Sequence, residues 1–432
     1  MCRCKGVIMK NEVKREGGFH YAWVILVVAA LVLGVYVPVV NSLSNSWQIA
    51  VTDDLGFSRT AFSFTGTITQ AVGIFLGPVI SVILTKYNFK RIWTGAAITF
   101  ALAVFGYSLA QNKFHFYALG LVVGAAYITT AQIPMMMLIN NWFSDKKGLA
   151  TSIAVSGISA GGALLSPLVN GLIANVGWRM SYRVYALIIL ILAVVFGFFL
   201  IYLRPEDKGL KPYGYKEEDD GPIDHTKDSN KSLNVGLSIG ASLSCSFFIF
   251  LLLGSVMNGL ANGASLQFPP ALQEAAGFQT AGTVVSIYLL VGVAGKLLLG
   301  RIADKYGIYH ALIFGAGTLA LSFVSMLFAG QVWGPWLVAF VFGFGLALGS
   351  VLPPLVTSSI YGRAMYGEAY GFVQSSTQIG AAFGPLLVSY IFDSSGTYYW
   401  AWLINIGFAL LTGFLWFLAH KNAEPFEGKS EK

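Results

Sequence analysis

Long apolar segments separated by short polar ones account for most of the chain. Each apolar segment is close to the length that an α-helix needs to cross a hydrocarbon layer about 30 Å thick. Few charged residues interrupt the segments, which favours membrane-spanning helices over buried helices of a soluble protein. We predict twelve spans, with approximate bounds 21–47, 60–84, 92–111, 115–140, 149–175, 184–203, 236–263, 281–299, 308–329, 333–357, 369–392 and 399–419.

A polar stretch between the sixth and seventh spans divides the chain into two halves. It contains the charge-rich run Lys216-Glu-Glu-Asp-Asp220 and no apolar segment of membrane length. The predicted organisation is an N-terminal tail (1–20), a six-helix bundle (21–203), a linker (204–233), a second six-helix bundle (234–420) and a C-terminal tail (421–432).

The two halves carry related patterns at corresponding places. In the second half, Gly300-Arg-Ile-Ala-Asp-Lys-Tyr-Gly307 follows the second helix, and Ser81-Val-Ile-Leu-Thr-Lys-Tyr-Asn88 takes that place in the first half. The fifth helix of each half also has a glycine followed by a proline, Gly162 with Pro167 and Gly380 with Pro385. Parallel six-helix repeats are typical of transporters whose binding site lies between the halves near the middle of the membrane.

The composition agrees with an all-α membrane protein. Hydrophobic residues make up 56% of the chain, charged residues 11%, and the mean hydropathy is +0.67. A soluble protein would carry about 25% charged residues. The alternating pattern of a membrane β-barrel is absent from the sequence.

The net charge of +7 does not indicate a nucleic-acid partner, because of where the charges lie. Most Lys and Arg residues fall in the termini and in alternate loops on one side, whereas Arg59, Lys113, Arg179 and Arg183 fall on the other. Positive loops face the cytoplasm, so we expect both termini to be cytoplasmic, in a plasma-membrane protein.

Lys296 lies within the apolar part of the eighth span. Asp304, eight residues later, marks the end of that helix, which places Lys296 about 12 Å deeper in the membrane. The spans offer no Asp or Glu at similar depth to neutralise it. A buried cation without a protein partner indicates a functional site, and an anion that comes and goes would complete it. The alternative is that the side chain snorkels, so that its amine reaches the cytoplasmic interface.

The sequence contains no pattern that predicts catalysis, a metal site or a cofactor. The cysteines Cys2, Cys4 and Cys245 form no disulfide or metal framework, and the five histidines have no ligand spacing. Cys2 and Cys4 precede Met9, an alternative start to Met1. We therefore expect neither an enzyme nor a bound metal.

The paired loops resemble the Major Facilitator Superfamily over the chain from Tyr21 to about His420. The Gly-x-x-x-Asp-x-x-Gly turn at 300–307, placed after the eighth helix of twelve, is similar to the signature loop of that superfamily. The first-half copy departs from it, with Ser81, Thr85 and Asn88 in place of Gly, Asp and Gly. The resemblance implies twelve helices in two pseudo-symmetric bundles, which can work as a monomer.

Three further stretches resemble the oxalate/formate antiporter and monocarboxylate porter branch. They are Asn141-Trp-Phe-Ser-Asp-Lys-Lys-Gly-Leu-Ala150 leading into Ser156-Gly157, Arg204-Pro-Glu-Asp-Lys-Gly-Leu-Lys-Pro-Tyr-Gly214, and Tyr361-Gly-Arg-Ala-Met-Tyr-Gly-Glu-Ala-Tyr-Gly371 with Gly384-Pro385 and Asp393-Ser-Ser-Gly-Thr-Tyr398. The resemblance implies a small organic anion as substrate, with a proton or a counter-anion as coupling partner.

In that branch a cation on helix 8, four residues before the loop glycine, binds the substrate carboxylate. Lys296 stands at that place, although the branch usually has Arg there. Arg binds a carboxylate through a two-pronged fork, whereas Lys is a point charge. The oxalate carrier has a second Lys on helix 11, where this chain has Thr377. One cation suits a monocarboxylate such as lactate, pyruvate or formate. Gly292 replaces the Asp of the proton-coupled porters.

Polar residues on other spans are candidates to complete a binding cavity. The resemblance places helices 1, 4, 7 and 10 around the cavity, with helices 5, 8 and 11 beside it. Hydrogen bonding between helices is the alternative role for each residue. Tyr127 is favoured because its hydroxyl can donate to a carboxylate while its ring excludes water. The candidates are Asn41, Asn45, Tyr127, Gln132, Asn258, Asn262, Gln374, Thr377 and Gln378.

Charged residues at the cytoplasmic helix ends are candidates for a gate. Charge pairs between the halves would hold the inward side closed, and the alternative is that these residues set membrane topology alone. The residues are Asp145, Lys146, Lys147, Arg301 and Asp304.

Two other functions are compatible with the sequence. An exporter of amphipathic drugs or metabolites would suit the 14% aromatic content, and it would not need Lys296. A transporter-like receptor for an external organic acid belongs to a different class, but the linker and the C-terminal tail are short for a signalling domain.

Overall fold

The fold is a bundle of α-helices in which consecutive long helices run in opposite directions. A computed structural model describes residues 20–41, 43–215, 232–363 and 365–428. The N-terminal tail up to residue 19, the linker run Lys216-Glu-Glu-Asp-Asp220 and the last four residues lie outside that part.

The helices of the first half are α1 (Ala22–Val40), α2 (Ser44–Leu55), α3 (Arg59–Lys86), α4 (Phe89–Tyr107), α5 (Lys113–Thr130), α6 (Gln132–Trp142) and α7 (Lys147–Val195). Those of the second half are α8 (Ile239–Ser242), α9 (Ser246–Ala264), α10 (Phe268–Ala276), α11 (Phe278–Tyr306), α12 (Ile308–Met326), α13 (Gly334–Tyr361), α14 (Tyr366–Ser395) and α15 (Tyr399–Ala423).

These helices provide the twelve predicted spans, in two bundles of six. Within the described ranges, nine helical stretches are long and apolar enough to cross a membrane, and one of them, Lys147–Leu200, holds two spans. Gly177 separates those two spans, with φ 84° and ψ 164° inside α7. A positive φ costs glycine little because glycine has no Cβ. The helices α4 and α14 coincide with the remaining two predicted spans.

The fourth span is broken between α5 and α6, at Ala131. Pro134 causes the break: it has no N–H, and its ring clashes with the carbonyl of the residue four before it, Thr130. The indole Nε1 of Trp93 donates to the freed Thr130 carbonyl over 3.0 Å. A partner inside the bundle is required because the hydrocarbon layer offers no water for this carbonyl.

Glycines bring helices of the same bundle into close contact. Gly157 and Gly161 on α7 face the backbone of α1 at Ala30 and Gly34. A Cβ at Gly161 would overlap the carbonyl oxygen of Gly34, so only glycine allows this approach. Such small-residue crossings are a main source of helix association in lipid, where the hydrophobic effect between helices is absent.

The chain ends of the described part lie on one side of the bundle, called here the terminal end. Tyr21 donates from its hydroxyl to the carbonyl of Leu200 over 2.9 Å, and the amide of Gly428 donates to the carbonyl of Leu233 over 3.1 Å. The start of the linker also packs there, since the Tyr213 amide donates to the Trp142 carbonyl over 2.9 Å. The opposite side is called the far end. There, Arg179 donates to Asp54 over 2.5 Å and lowers the pKa of that carboxyl below its ordinary value.

Candidate functional site

Lys296 crosses from one half of the bundle to the other. It lies on α11 with only 6% of its surface exposed. Its Nζ donates a hydrogen bond to the Oγ of Ser159 on α7, over 2.9 Å. No carboxylate of the described residues lies within 4 Å of the amine. The amine therefore joins the halves through a neutral hydroxyl and keeps its charge unneutralised by a protein acid.

The contacts between α7 and α11 show which way the Lys296 side chain extends. Gly148 of α7 faces Asp304, and Ser152 faces Gly300. The two helices are antiparallel and their backbones meet at Gly148 and Gly300, so one turn further from the terminal end the backbone of Lys296 lies about level with Ser152. The amine instead reaches Ser159, about two turns further from the terminal end than that level. This direction is opposite to the one that snorkelling to the terminal interface requires.

Three of the predicted site residues gather around the breaks in the first and fourth spans. Asn41 follows α1 directly, and the Nε2 of Gln70 donates to its Oδ1 over 3.2 Å. The Asn41 side chain also interacts with the hydroxyl of Tyr127, at the end of α5. Gln132, the first residue of α6, interacts with the hydroxyl of Tyr370 on α14. The tyrosine of the second half thus contacts the broken helix of the first.

Two residues of this polar group were missed by the sequence analysis, Gln70 and Tyr370. Tyr370 donates to the Oε1 of the predicted residue Gln374 over 3.3 Å. The signal that could have found Tyr370 is its position four residues before Gln374, because such pairs share a helical face. Gln70 is a polar amide inside an apolar span, the same feature that selected the other candidates.

The remaining polar candidates have contacts within one bundle or against a glycine. Asn262 donates to the Oδ1 of Asn258 over 2.9 Å, and Asn258 contacts the carbonyl of Gly349 over 3.5 Å. Thr377 donates to its own helix, to the carbonyl of Val373, over 3.0 Å. The contacts of these three match the alternative of helix–helix or local hydrogen bonding, and within the described ranges none of these hydrogen bonds reaches the first half.

Gln378 and Asn45 complete the set of candidates. Gln378 packs against Gly73 of the first half, and its Oε1 is buried without a hydrogen-bond partner among the described residues. Asn45 belongs to α2, and its side chain lies outside the described part.

Asp304 holds the halves together at the terminal end. Its Oδ1 accepts from the Gly148 amide over 2.6 Å, and its Oδ2 accepts from the Leu149 amide over 2.8 Å. Both amides belong to the first turn of α7, where N–H groups lack helical partners and the helix dipole is positive. The carboxylate therefore caps the first helical turn of the opposite half.

A second set of contacts closes the same end between α6 and α13. Asn140 donates to the carbonyl of Gly362 over 2.9 Å and accepts from the hydroxyl of Ser358 over 2.5 Å. Lys147 donates to the Oδ1 of Asn140 over 3.4 Å. Arg363 donates to the carbonyl of Asn141 over 2.6 Å. These residues make the terminal end a closed interface between the halves.

The other predicted gate residues are exposed. Asp145 accepts from the backbone amide of Lys146 over 2.8 Å, a local contact within the loop. Arg301 is exposed on α11. In the first half, Thr85 stands where the loop motif would have Asp, and its hydroxyl donates to the carboxylate of Glu368 over 3.5 Å. Glu368 belongs to α14, in the other half.

Comparison with known proteins decides the family. The family profile described as Major Facilitator Superfamily matches residues 22–355 and 251–432. The chain belongs to the Major Facilitator Superfamily. It is a membrane transporter and not an enzyme, because that family consists of transporters. A solved transporter of this superfamily, FucP in the outward conformation, shares the fold with a TM-score of 0.69 at 12% identity and covers 93% of this chain and 99% of its own.

Relatives of this superfamily transporter confirm the branch that the sequence resembled. Monocarboxylate transporter 11 of Mus musculus is 24% identical over 93% of this chain and 87% of its own length. The oxalate:formate antiporter of Oxalobacter formigenes is 26% identical over 90% of each chain. Monocarboxylate transporter 12-B of Danio rerio is 28% identical over 71% of this chain and 68% of its own.

Proposed function

We propose that this transporter moves a small organic anion, a monocarboxylate such as lactate, pyruvate or formate, by alternating access. The anion pairs with Lys296 in the buried state. The observation that carries the proposal is the Lys296 amine, 6% exposed and hydrogen-bonded only to the neutral Ser159 among the described residues. A buried cation is costly in a membrane unless it is paired. A carboxylate removes that cost for as long as it is bound.

The number of buried cations supports a single negative charge on the substrate. Among the described residues, Lys296 is the only Lys or Arg whose side chain is buried. A dianion such as oxalate would retain one charge without a cationic partner in the site. The relatives named for monocarboxylates and for oxalate and formate support a carboxylate as the recognised group.

The contacts between the halves support a mechanism for the transport cycle. In the structure the terminal end is closed by Asp304 on the α7 amides and by Asn140 on Gly362. Transport requires these bonds to break while contacts form at the far end. An anion can shift this balance only if the two states bind it with different affinity. Lys296 supplies that difference in affinity, because burying its unpaired charge costs the most free energy in the occluded state.

We further propose that the transporter works as a monomer in the plasma membrane, with both termini in the cytoplasm. In this setting the terminal end is the cytoplasmic side, in keeping with the positive-inside rule, and the structure is closed to the cytoplasm. The coupling partner is a proton or a counter-anion. The domain bounds 1–20, 21–203, 204–233, 234–420 and 421–432 remain part of this proposal.

Uptake into proteoliposomes tests the proposal. Radiolabelled lactate, pyruvate, formate and oxalate are supplied outside, with and without an imposed proton gradient and with and without preloaded anion. We expect uptake of at least one monocarboxylate, and its loss in Lys296→Gln. Lys305→Gln is the matched control, because it removes the same charge from an exposed position near the end of the same helix.

The outcomes separate the competing functions. Normal monocarboxylate uptake by Lys296→Gln overturns the role of Lys296. Oxalate uptake only against preloaded anion shows exchange and refutes the single-cation argument. Flux of drugs or neutral apolar compounds without flux of any acid supports an exporter. Tight binding of an acid without flux supports a receptor.

A further inference from the structure

Ser156 is a second unusual polar group on the α7 face that meets Lys296. Its side chain is 8% exposed, and its Oγ has no hydrogen-bond partner among the described residues. An unsatisfied buried hydroxyl costs roughly the free energy of a lost hydrogen bond. A buried polar group in this condition therefore needs an explanation.

The register of the two helices places this hydroxyl beside the cation. The backbones of Gly148 and Gly300 meet in this antiparallel pair, so the backbone of Lys296 lies about level with Ser152, one turn before Ser156. Ser152, Ser156 and Ser159 follow spacings of four and three residues and share one helical face. The amine bonds to Ser159, which lies beyond Ser156 in the same direction, so the lysine stem has to pass the level of Ser156 to make that bond.

The unused donors at this place suit a carboxylate. An ammonium group has three N–H donors, and Lys296 uses one of them on Ser159. A carboxylate has two oxygens, each of which accepts hydrogen bonds. One oxygen can accept from the ammonium while the other accepts from the Ser156 hydroxyl. Together the two side chains present two donors to one planar group, as an arginine fork does alone.

We infer that Ser156 is a substrate-binding residue that supplies the second donor to the carboxylate held by Lys296. The inference rests on the proposed function and deepens it. It explains how a lysine can stand where the related branch uses arginine: the serine provides the prong that a point charge lacks. Ser159 holds the amine in position from the other side and is a positioning residue.

Ser152 shows why an unpaired hydroxyl alone is not sufficient. Its Oγ is also buried without a partner among the described residues. It faces Gly300, however, where the backbones of Gly148 and Gly300 are in contact and leave no space for a ligand. Ser152 is therefore the matched control for Ser156, because both are buried serines on the same face of the same helix.

The test measures uptake kinetics in proteoliposomes with whichever of lactate, pyruvate and formate the wild type takes up fastest. A hydrogen bond to a charged group is strong enough that we expect Ser156→Ala to raise KM about tenfold or more. Ser156→Thr keeps the hydroxyl and is expected to stay near wild type. Ser152→Ala is expected to leave KM unchanged. The amount of folded protein and its thermal midpoint in detergent are measured for each variant.

A rescue experiment distinguishes binding from packing. Lys296→Arg restores a two-pronged donor, so we expect the double variant Lys296→Arg/Ser156→Ala to lose far less affinity than Ser156→Ala does. A purely structural serine would give no such rescue. If Lys296→Arg is itself inactive, the comparison of Ser156→Ala with Ser156→Thr still decides the matter.

Different experimental results would refute the role of Ser156 and the proposed function. Wild-type KM in Ser156→Ala, together with lost uptake in Lys296→Gln, overturns the inference and leaves the proposed function intact. Equal impairment of Ser156→Ala and Ser156→Thr also overturns it, because the hydroxyl is then not the cause. Normal uptake by Lys296→Gln overturns the proposed function itself.

Discussion

The Oδ1 of Asp304, near the end of α11, accepts a hydrogen bond from the backbone amide of Gly148, at the start of α7, over 2.6 Å. The two residues belong to different halves of the transporter. The bond therefore exists only while the terminal end is closed. Its strength contributes directly to the balance between the closed and open arrangements of that end.

Replacing Asp304 by Asn should open the terminal end more often. The amide is neutral and can offer only one acceptor oxygen to the amides of Gly148 and Leu149. Bonds to a charged group contribute about 1.5–3 kcal/mol, so losing the charge favours the open state by roughly tenfold. The measurement is the alkylation rate of a cysteine introduced at Thr151, in a background without the three native cysteines.

Asp145→Asn is the control for that experiment, because Asp145 is exposed and bonds to the neighbouring Lys146 amide. We expect its alkylation rate to match the parent. An Asp304→Asn variant that is alkylated no faster than the parent contradicts the role of Asp304 as a latch.

Adding a methyl group at Gly161 should separate α7 from α1. The new Cβ would overlap the backbone carbonyl of Gly34, which cannot move as a flexible side chain could. Overpacking of this kind costs typically about 1–3 kcal/mol. We expect Gly161→Ala to lower the yield of folded protein and its thermal midpoint in detergent.

Gly171→Ala is the matched control on the same helix, because a Cβ there would have no heavy atom within 4 Å outside its own local backbone. It should behave like wild type. Equal stability of the Gly161 and Gly171 variants would show that the two helices separate at little cost.

Removing the indole N–H of Trp93 should weaken the broken fourth span. Trp93→Phe keeps a ring in the buried site but leaves the Thr130 carbonyl without its 3.0 Å donor. An unsatisfied buried carbonyl costs about 1–3 kcal/mol. The thermal midpoint in detergent should fall, whereas Trp400→Phe, at a position that is 55% exposed, should leave it unchanged. A midpoint unaffected by Trp93→Phe would mean that the freed carbonyl finds another donor.

The number of spans and the two-bundle architecture were accessible from the sequence, because hydrocarbon excludes unpaired backbone and selects apolar helices of fixed length. Lys296 could be identified from the sequence for the same reason, since a cation inside an apolar span stands out from its neighbours in the chain. The family resemblance, confirmed by the comparisons, rested on loop motifs whose spacing is local. Each of these features depends on residues close together in the chain.

The partners of the site residues depended on the tertiary structure. Ser159, Ser156 and Tyr370 are ordinary polar residues in the sequence, and their relevance comes from the helix of the other half that lies opposite. The same is true of Asp304, which contacts backbone amides that no side-chain pattern reveals. The register between the halves follows from contacts such as that of Gly148 with Gly300. These contacts join residues more than a hundred positions apart, so only the packed structure could decide them.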